Sequence, residues 1–246
     1  MKLSIIIPAY NEEKRIFKTL KEYYSFFIER LGNEFELIIV TNNCNDNTLE
    51  ITKKFSKDKK NVIIKDIPFY TGKGGAIIEG FRIAHGELIG FVDADNSTNS
   101  ENFHKLVENI KNFDGIIASR KIKGAKIDPK RNLSKNSSSY LFMLFVKIIF
   151  GLKYKDTQCG AKLFKKDIAK FIYENLTEKG WEFDVNLLYL CKKNNFKIRE
   201  YPIYWTDCNG SKLTNLDGIK SILNLTRYRI KLISSTKSPK LRTKKV

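Results

Sequence analysis

The chain has little of what metal–thiolate and disulfide frameworks are built from. Its 246 residues hold two histidines and four scattered cysteines, Cys44, Cys159, Cys191 and Cys208, with no C-x-x-C pair. That excludes a Cys/His zinc site, and reduced thiols of a cytosolic protein are expected. A signal-peptide pattern is missing too, since the amino terminus leads straight into a core-type strand. No apolar run reaches the roughly 20 residues needed to cross a bilayer. Internal repeats and long low-complexity linkers are absent. With 42% hydrophobic residues the chain can bury one sizeable core, and a single domain over residues 1–233 is expected.

Acidic residues are scarce in one half only. Residues 1–119 carry 16 Lys and Arg against 17 Asp and Glu, whereas residues 120–246 carry 29 against 10. The net charge of +18 therefore sits wholly in the carboxyl-terminal half. A one-sided basic surface attracts polyanions, either a nucleic acid or an anionic membrane leaflet.

Apolar runs at 3–7, 35–41, 61–66, 87–92 and 114–119 read as strands. They alternate with helical patterns near 12–31, 46–57, 74–85 and 100–112, with Asp46 and Ser100 as N-caps of the second and fourth helices. Such alternation predicts an α/β fold with a mostly parallel sheet flanked by helices. Residues 121–139, polar and basic, predict a mobile surface loop. Tyr140 to Phe150, eleven residues with one charge, fits either a core helix or, given its aromatics and basic flanks, an interfacial helix pressed into lipid headgroups. An amphipathic helix is expected over 216–233. The basic tail 234–246 has five Lys and Arg and no acid; it is expected to be flexible, as a membrane contact or simply a solvated end.

Asp93-Ala94-Asp95 closes the apolar run 87–92. Two carboxylates spaced i, i+2 at a strand's carboxyl end leave on one side and suit a hard divalent cation that takes further ligands from water and substrate phosphate. Two solvated turn aspartates are the bland alternative.

Further motifs agree in order: Pro8-Ala9-Tyr10-Asn11-Glu12-Glu13, Gly72-Lys73-Gly74-Gly75, Ala118-Ser119-Arg120, Asp156-Thr157-Gln158-Cys159-Gly160, Trp181-Glu182-Phe183-Asp184 and Asn209-Gly210-Ser211-Lys212-Leu213. Together, from about residue 3 to about residue 213, the chain resembles glycosyltransferase family 2, and most closely its dolichyl-phosphate β-glucosyltransferase and dolichol-phosphate mannose synthase branch. The resemblance implies a glycosyltransferase-A type fold. Residues 1–119 would form its nucleotide-binding half and 120–233 its basic acceptor and membrane-facing half.

The resemblance also implies roles. Asp95 is the expected direct ligand of Mg2+ or Mn2+, with Asp93 facing the ribose or the metal's water shell. Pro8, Tyr10 and Glu12 stand where the family contacts the nucleoside, although Glu12 is also a favourable charge at a helix start. The family places two aspartates after its second strand, one of them on the base. Here Thr41 and Asn42 stand there. An amide oxygen accepts a single N–H, which suits uracil better than guanine. Lys73 and Gly74 lie in a glycine-rich turn that fails both the P-loop and the G-x-G-x-x-G templates. Backbone amides at a helix start can still approach a diphosphate; a purely structural turn is the alternative.

Arg120 stands at the position of a substrate-phosphate arginine, and a planar guanidinium suits that contact. Asp156 and Gln158 match the segment beside the sugar, Asp156 being the carboxylate expected near the reacting centre and Asp184 the second candidate. Ser211 and Lys212 match a phosphate-binding segment. Arg227 and Arg229 are candidates for the acceptor phosphate, or ordinary solvated charges.

These residues predict a metal-dependent, inverting glycosyltransferase, peripheral at the cytoplasmic face of a membrane. It would move glucose from UDP-glucose onto dolichyl or polyprenyl phosphate. A GDP-mannose donor, or a soluble acceptor in polysaccharide or protein glycosylation, is the alternative within the fold. A nucleic-acid binder is suggested by charge alone, but the aromatics sit in apolar runs rather than between Lys and Arg, so no nucleic acid is expected.

Overall fold

The computed structural model describes residues 1–129, 133–176, 180, 182–206 and 215–234. Strands β1 (Leu3–Ala9), β2 (Phe35–Asn42), β3 (Val62–Ile67) and β4 (Leu88–Val92) form one side of a sheet and pair in parallel in the order β3-β2-β1-β4. Every residue of β2 is buried and β1 nearly so, as continuous apolar strands covered on both faces must be. The connecting helices are α1 (Ile16–Leu31), α2 (Thr48–Ser56) and α3 (Gly72–Ile83), and α4 (Ser100–Asn109) leads on to β5 (Gly115–Ser119).

Beyond β4 the sheet reads β7-β5-β8, with β7 (Ala161–Lys165) antiparallel to both β4 and β5, and β8 (Ile198–Pro202) parallel to β5. Short strands β6 (Lys126–Asp128) and β9 (Tyr204–Thr206) make a separate parallel pair. The remaining helices are α5 (Leu133–Phe150), α6 (Lys166–Asn175), α7 (Phe183–Lys193) and α8 (Asn215–Ser234). One face of the sheet packs on α1, α2 and α4, the other on α3, α6, α7 and the end of α5. This is the three-layer α/β arrangement that the alternating pattern predicts.

Four local expectations need correcting. Helix α1 starts at Ile16 rather than near 12, because Asn11 takes a left-handed φ of 53° and residues 12–15 turn before the helix. The N-caps lie one residue to either side of those expected: Asn47 precedes α2 while Asp46 Oδ1 accepts the Thr48 N–H, and Asn99 caps α4 by accepting the Asn102 N–H. The segment 121–139 is not a plain loop, since it contains β6 and the start of α5. Strand β4 ends at Val92, so both aspartates of the D-x-D motif sit on the turn after it.

Candidate active site

The carboxyl ends of β1, β2, β3 and β4 lie side by side, the edge at which open α/β sheets bind ligands. The Asp93–Asp95 turn is fastened there by one face of α1. The Thr19 hydroxyl donates to the Ala94 carbonyl at 2.7 Å, the Tyr23 hydroxyl donates to the Thr98 carbonyl at 2.7 Å, and the Glu22 carboxylate accepts from Asn96 Nδ2 and the Ser100 N–H. Burial pushes the Tyr23 phenol well above its ordinary pKa, so it stays a donor. Asp95 Oδ1 accepts the Ser97 N–H, which closes the turn. The two carboxylates share a neighbourhood through this turn, not through strand alternation.

Asp93 is held from two sides. Its N–H donates to the Gly160 carbonyl at 3.0 Å, and Lys73 Nζ lies 2.7 Å from Asp93 Oδ1. A Cβ on Gly160 would overlap the Asp93 carboxylate outright, so only glycine leaves the space that this carboxylate occupies. Lys73 also approaches Asp184 at 3.7 Å, and Asp184 is paired on its other oxygen with Lys162, whose Nζ donates as well to the Cys159 carbonyl at 2.8 Å. Lys162 and Asp184 are buried, Lys73 largely so. The result is a ladder of alternating charge, Lys162–Asp184–Lys73–Asp93, running from the core to the surface. Burial pushes the Lys73 ammonium down, but Asp93, Asp184 and Asp95 more than reverse this and hold its pKa above the ordinary value. Gly74 lets the start of α3 press against α7: a Cβ there would stand 2.5 Å from the Phe183 ring.

A second buried pair, Arg120 and Asp156, lies close enough to Asp93 to feel its charge. Asp156 Oδ2 accepts the Arg120 N–H at 2.9 Å and Nε at 2.7 Å, while Oδ1 accepts Nη2 at 2.8 Å. The Asp156 N–H donates to Glu200, and the Arg120 guanidinium lies over the Trp205 ring at 5.3 Å. Burial works against the charge on Asp156, but the guanidinium overcomes it and holds the carboxyl well below the usual range. The planar fork expected for a substrate phosphate is thus engaged by a carboxylate of the same chain.

The remaining expected residues divide. Pro8 lies in β1 opposite Val40, and exposed Tyr10 stacks edge-on against Tyr70 with centroids 5.3 Å apart. Glu12 takes Arg15 Nε and Nη2 at 2.8 and 2.9 Å, and its N–H donates to Thr48 Oγ1. Asn42 does not present its amide oxygen to a base: that oxygen accepts the Thr71 N–H and hydroxyl, and Nδ2 donates to the Gly72 carbonyl. Asn42 shapes the turn into α3 instead. Gln158 sits beside Cys159 with Nε2 buried and without a protein partner. Arg229 ties α8 inward, donating to the Ile149 carbonyl and the Tyr189 hydroxyl, whereas Arg227 is exposed. Ser211, Lys212, Trp181 and the tail beyond Ser234 lie outside the described residues. Thr19, Glu22, Tyr23 and Lys162 lie in none of the motifs, and Gly160 stands in its motif without a role assigned to it from sequence.

Among the described residues no group of three or more His, Cys, Asp and Glu side chains converges. Two oxygen donors on one turn fit an ion such as Mg2+ or Mn2+, which binds through one or two carboxylates and takes its other ligands from phosphate and water.

Over residues 140–150 helix α5 has one buried and one exposed apolar face. Val146 and Phe150 are buried in the core, while Tyr140, Leu141, Leu144 and Ile148 are exposed. Helix α8 packs against α5 and exposes Ile222, Leu223 and Ile230. No helix among the described residues is long and apolar enough to cross a membrane.

Comparisons with known proteins fit this geometry. The family model described as "Glycosyl transferase family 2" matches residues 4–172. A dolichyl-phosphate beta-glucosyltransferase of Dictyostelium discoideum is 32% identical over 245 residues, covering 94% of this chain and 75% of that protein. The enzyme of the same name from Saccharomyces cerevisiae is 32% identical, covering 93% and 74%. Among solved structures, glucosyl-3-phosphoglycerate synthase from Mycobacterium tuberculosis, in complex with Mn2+, UDP and glucosyl-3-phosphoglycerate, superposes with a TM-score of 0.66 at 14% identity, over 93% of this chain and 78% of that one. At that identity the likeness speaks for a glycosyltransferase-A type fold alone.

Proposed function

Since the chain belongs to glycosyltransferase family 2 and is a glycosyltransferase, we propose that it moves glucose from UDP-glucose onto a dolichyl or polyprenyl phosphate at the cytoplasmic face of a membrane, with Mg2+ or Mn2+ bound. One observation carries the choice of acceptor. Asp156, the carboxylate expected near the reacting centre, is engaged on both oxygens by Arg120. A carboxylate so paired is a poor proton acceptor. An alcohol acceptor needs a general base, whereas a phosphate monoester arrives ionised. The names of the relatives point to the same acceptor.

In this reading Asp95 and Asp93 would hold the metal, which when bound would supply charge stabilisation at the diphosphate leaving group. Lys73 and the backbone at the start of α3 add positive charge to the same group. Lys162 and Asp184 set the position of Lys73, and the Arg120–Asp156 pair holds the wall carrying Gln158 beside the sugar. A phosphate oxygen of the lipid forms the new bond to the anomeric carbon as the bond to UDP breaks on the opposite face, so configuration inverts. The apolar faces of α5 and α8 rest on the lipid, with Lys147 and Arg227 at the headgroups.

The test is transfer of radiolabel from UDP- and GDP-sugars into organic-extractable lipid, with added polyprenyl phosphate. Label from UDP-glucose that disappears with chelator, and is absent in an Asp95→Asn enzyme, supports the reading. Label only from GDP-mannose, or only in a soluble product, overturns the donor or the acceptor respectively.

A further inference from the structure

Resting on the reading of a UDP-sugar donor, we propose that Asp66 reads the nucleobase, taking the place of the residues that follow β2. A uracil ring carries one N–H between two carbonyls, and a buried or half-buried donor needs an acceptor. Neither Thr41 nor Asn42, at the end of β2, offers one. Both acceptor bonds of the Asn42 oxygen go to Thr71, and the Thr41 side chain, fully buried, donates its hydroxyl to Asp66 Oδ1 at 2.7 Å. In the parallel register Thr41 stands opposite Asp66 on one side and Ala9 on the other. The carboxylate absent from β2 is therefore present one strand over, exposed at its outer side and oriented by Thr41.

The spacing suits a nucleotide. From β3 to β4 the sheet steps through β2 and β1, three intervals of about 4.8 Å each, so Asp66 and the Asp93 turn are separated by a distance of the order of an extended nucleoside diphosphate. Between them stand Tyr10, just past Ala9, and Tyr70, stacked edge-on and both exposed. They offer aromatic surface to a flat base.

Chemistry also sets the preference. The bond from Thr41 to Oδ1 holds the Asp66 carboxylate in one orientation and leaves Oδ2 for an N–H. Guanine offers two adjacent donors and is best met by both oxygens of a carboxylate aligned with them. A carboxylate whose plane is set by Thr41 favours the single N–H of uracil.

Calorimetric titration of the full chain with UDP, N3-methyl-UDP and GDP, in the presence of Mn2+, tests this. The wild type should prefer UDP over N3-methyl-UDP, and Asp66→Ala should bind UDP about 10- to 100-fold more weakly while no longer telling the two apart. Thr41→Val, which keeps the buried shape but frees Oδ1, should shift the UDP:GDP ratio towards GDP. An Asp66→Ala protein that still binds UDP as the wild type does, or still rejects the methylated base, overturns the proposal. So does an unshifted ratio in Thr41→Val. Wild-type protein that ignores UDP altogether overturns the donor reading and this proposal together. UDP binding that depends on Asp66, in a protein that labels no lipid, upholds Asp66 and sinks only the acceptor.

Discussion

The carboxylate of Asp93 occupies the space that a side chain on Gly160 would need. The two residues come from different strands, Asp93 following β4 and Gly160 preceding the antiparallel β7, and they are joined by the Asp93 N–H to the Gly160 carbonyl. Gly160→Ala should leave the fold intact, since the displaced group is half-exposed, yet move the carboxylate by about an ångström. A displacement of that size costs about 100-fold in rate. Transfer assays beside a thermal melt check this; an active Gly160→Ala enzyme would show that Asp93 need not sit where it does.

Lys162 is wholly buried and its charge is balanced by Asp184. Lys162→Met should destabilise by about 3–5 kcal/mol, because removing one partner strands the other. For a chain of this length that lowers Tm by on the order of 10 °C. The double variant Lys162→Met/Asp184→Asn should regain part of the loss. Differential scanning fluorimetry decides: a double variant no more stable than the single one rules out charge stranding as the cause.

The Arg120–Asp156 pair makes a prediction in acid. The folded Asp156 carboxyl titrates well below its unfolded value of 3.8, so its stabilisation is complete above about pH 4 and is lost as pH falls through the folded value. Wild-type stability should therefore fall with pH below about 4. Asp156→Asn should start about 3–5 kcal/mol lower at neutral pH and lose less over that acid window. Urea melts from pH 7 to pH 2.5 measure both slopes, and parallel slopes would count against the pair.

Burial pushes the Cys159 thiol up to about 11, and that of Cys191 further. Both should resist iodoacetamide at pH 7.5 in the folded protein, since the thiolate is the reactive form. Among the described cysteines Cys44, only partly buried, should label before these two. Peptide mass mapping after timed alkylation reads the order, and early labelling of Cys159 would contradict its place in the core.

Much of the first half was legible because its strands are unbroken apolar runs bounded by turn residues. The N-caps were misplaced by one where neighbours such as Asp46 and Asn47, or Asn99 and Ser100, are equally good cap formers. β6 escaped notice because Lys126–Asp128 is short and polar, and it exists only by pairing with β9. β7 hid behind Lys162, a charge at an inward position that becomes acceptable once Asp184 arrives from twenty-two residues downstream. The D-x-D motif was found by its spacing, but the hold of Thr19 and Tyr23 on its turn looks, in sequence, like any helix face. Asp66 carries no signal in the sequence, and only its hydrogen bond from Thr41 marks it.

The antiparallel β7 also bears on how the chain is made. Strands β4 and β5 are not neighbours; β7 separates them, and β8 completes the far edge. A ribosome that has released residues 1–119 has delivered β5 without either of its partners. The division between a charge-balanced and a basic half is thus one of charge alone. The sheet closes only after residue 165 has emerged, and its last strand is added from 198–202, so vectorial synthesis must hold β5 in waiting while the greater part of the basic half is still being translated.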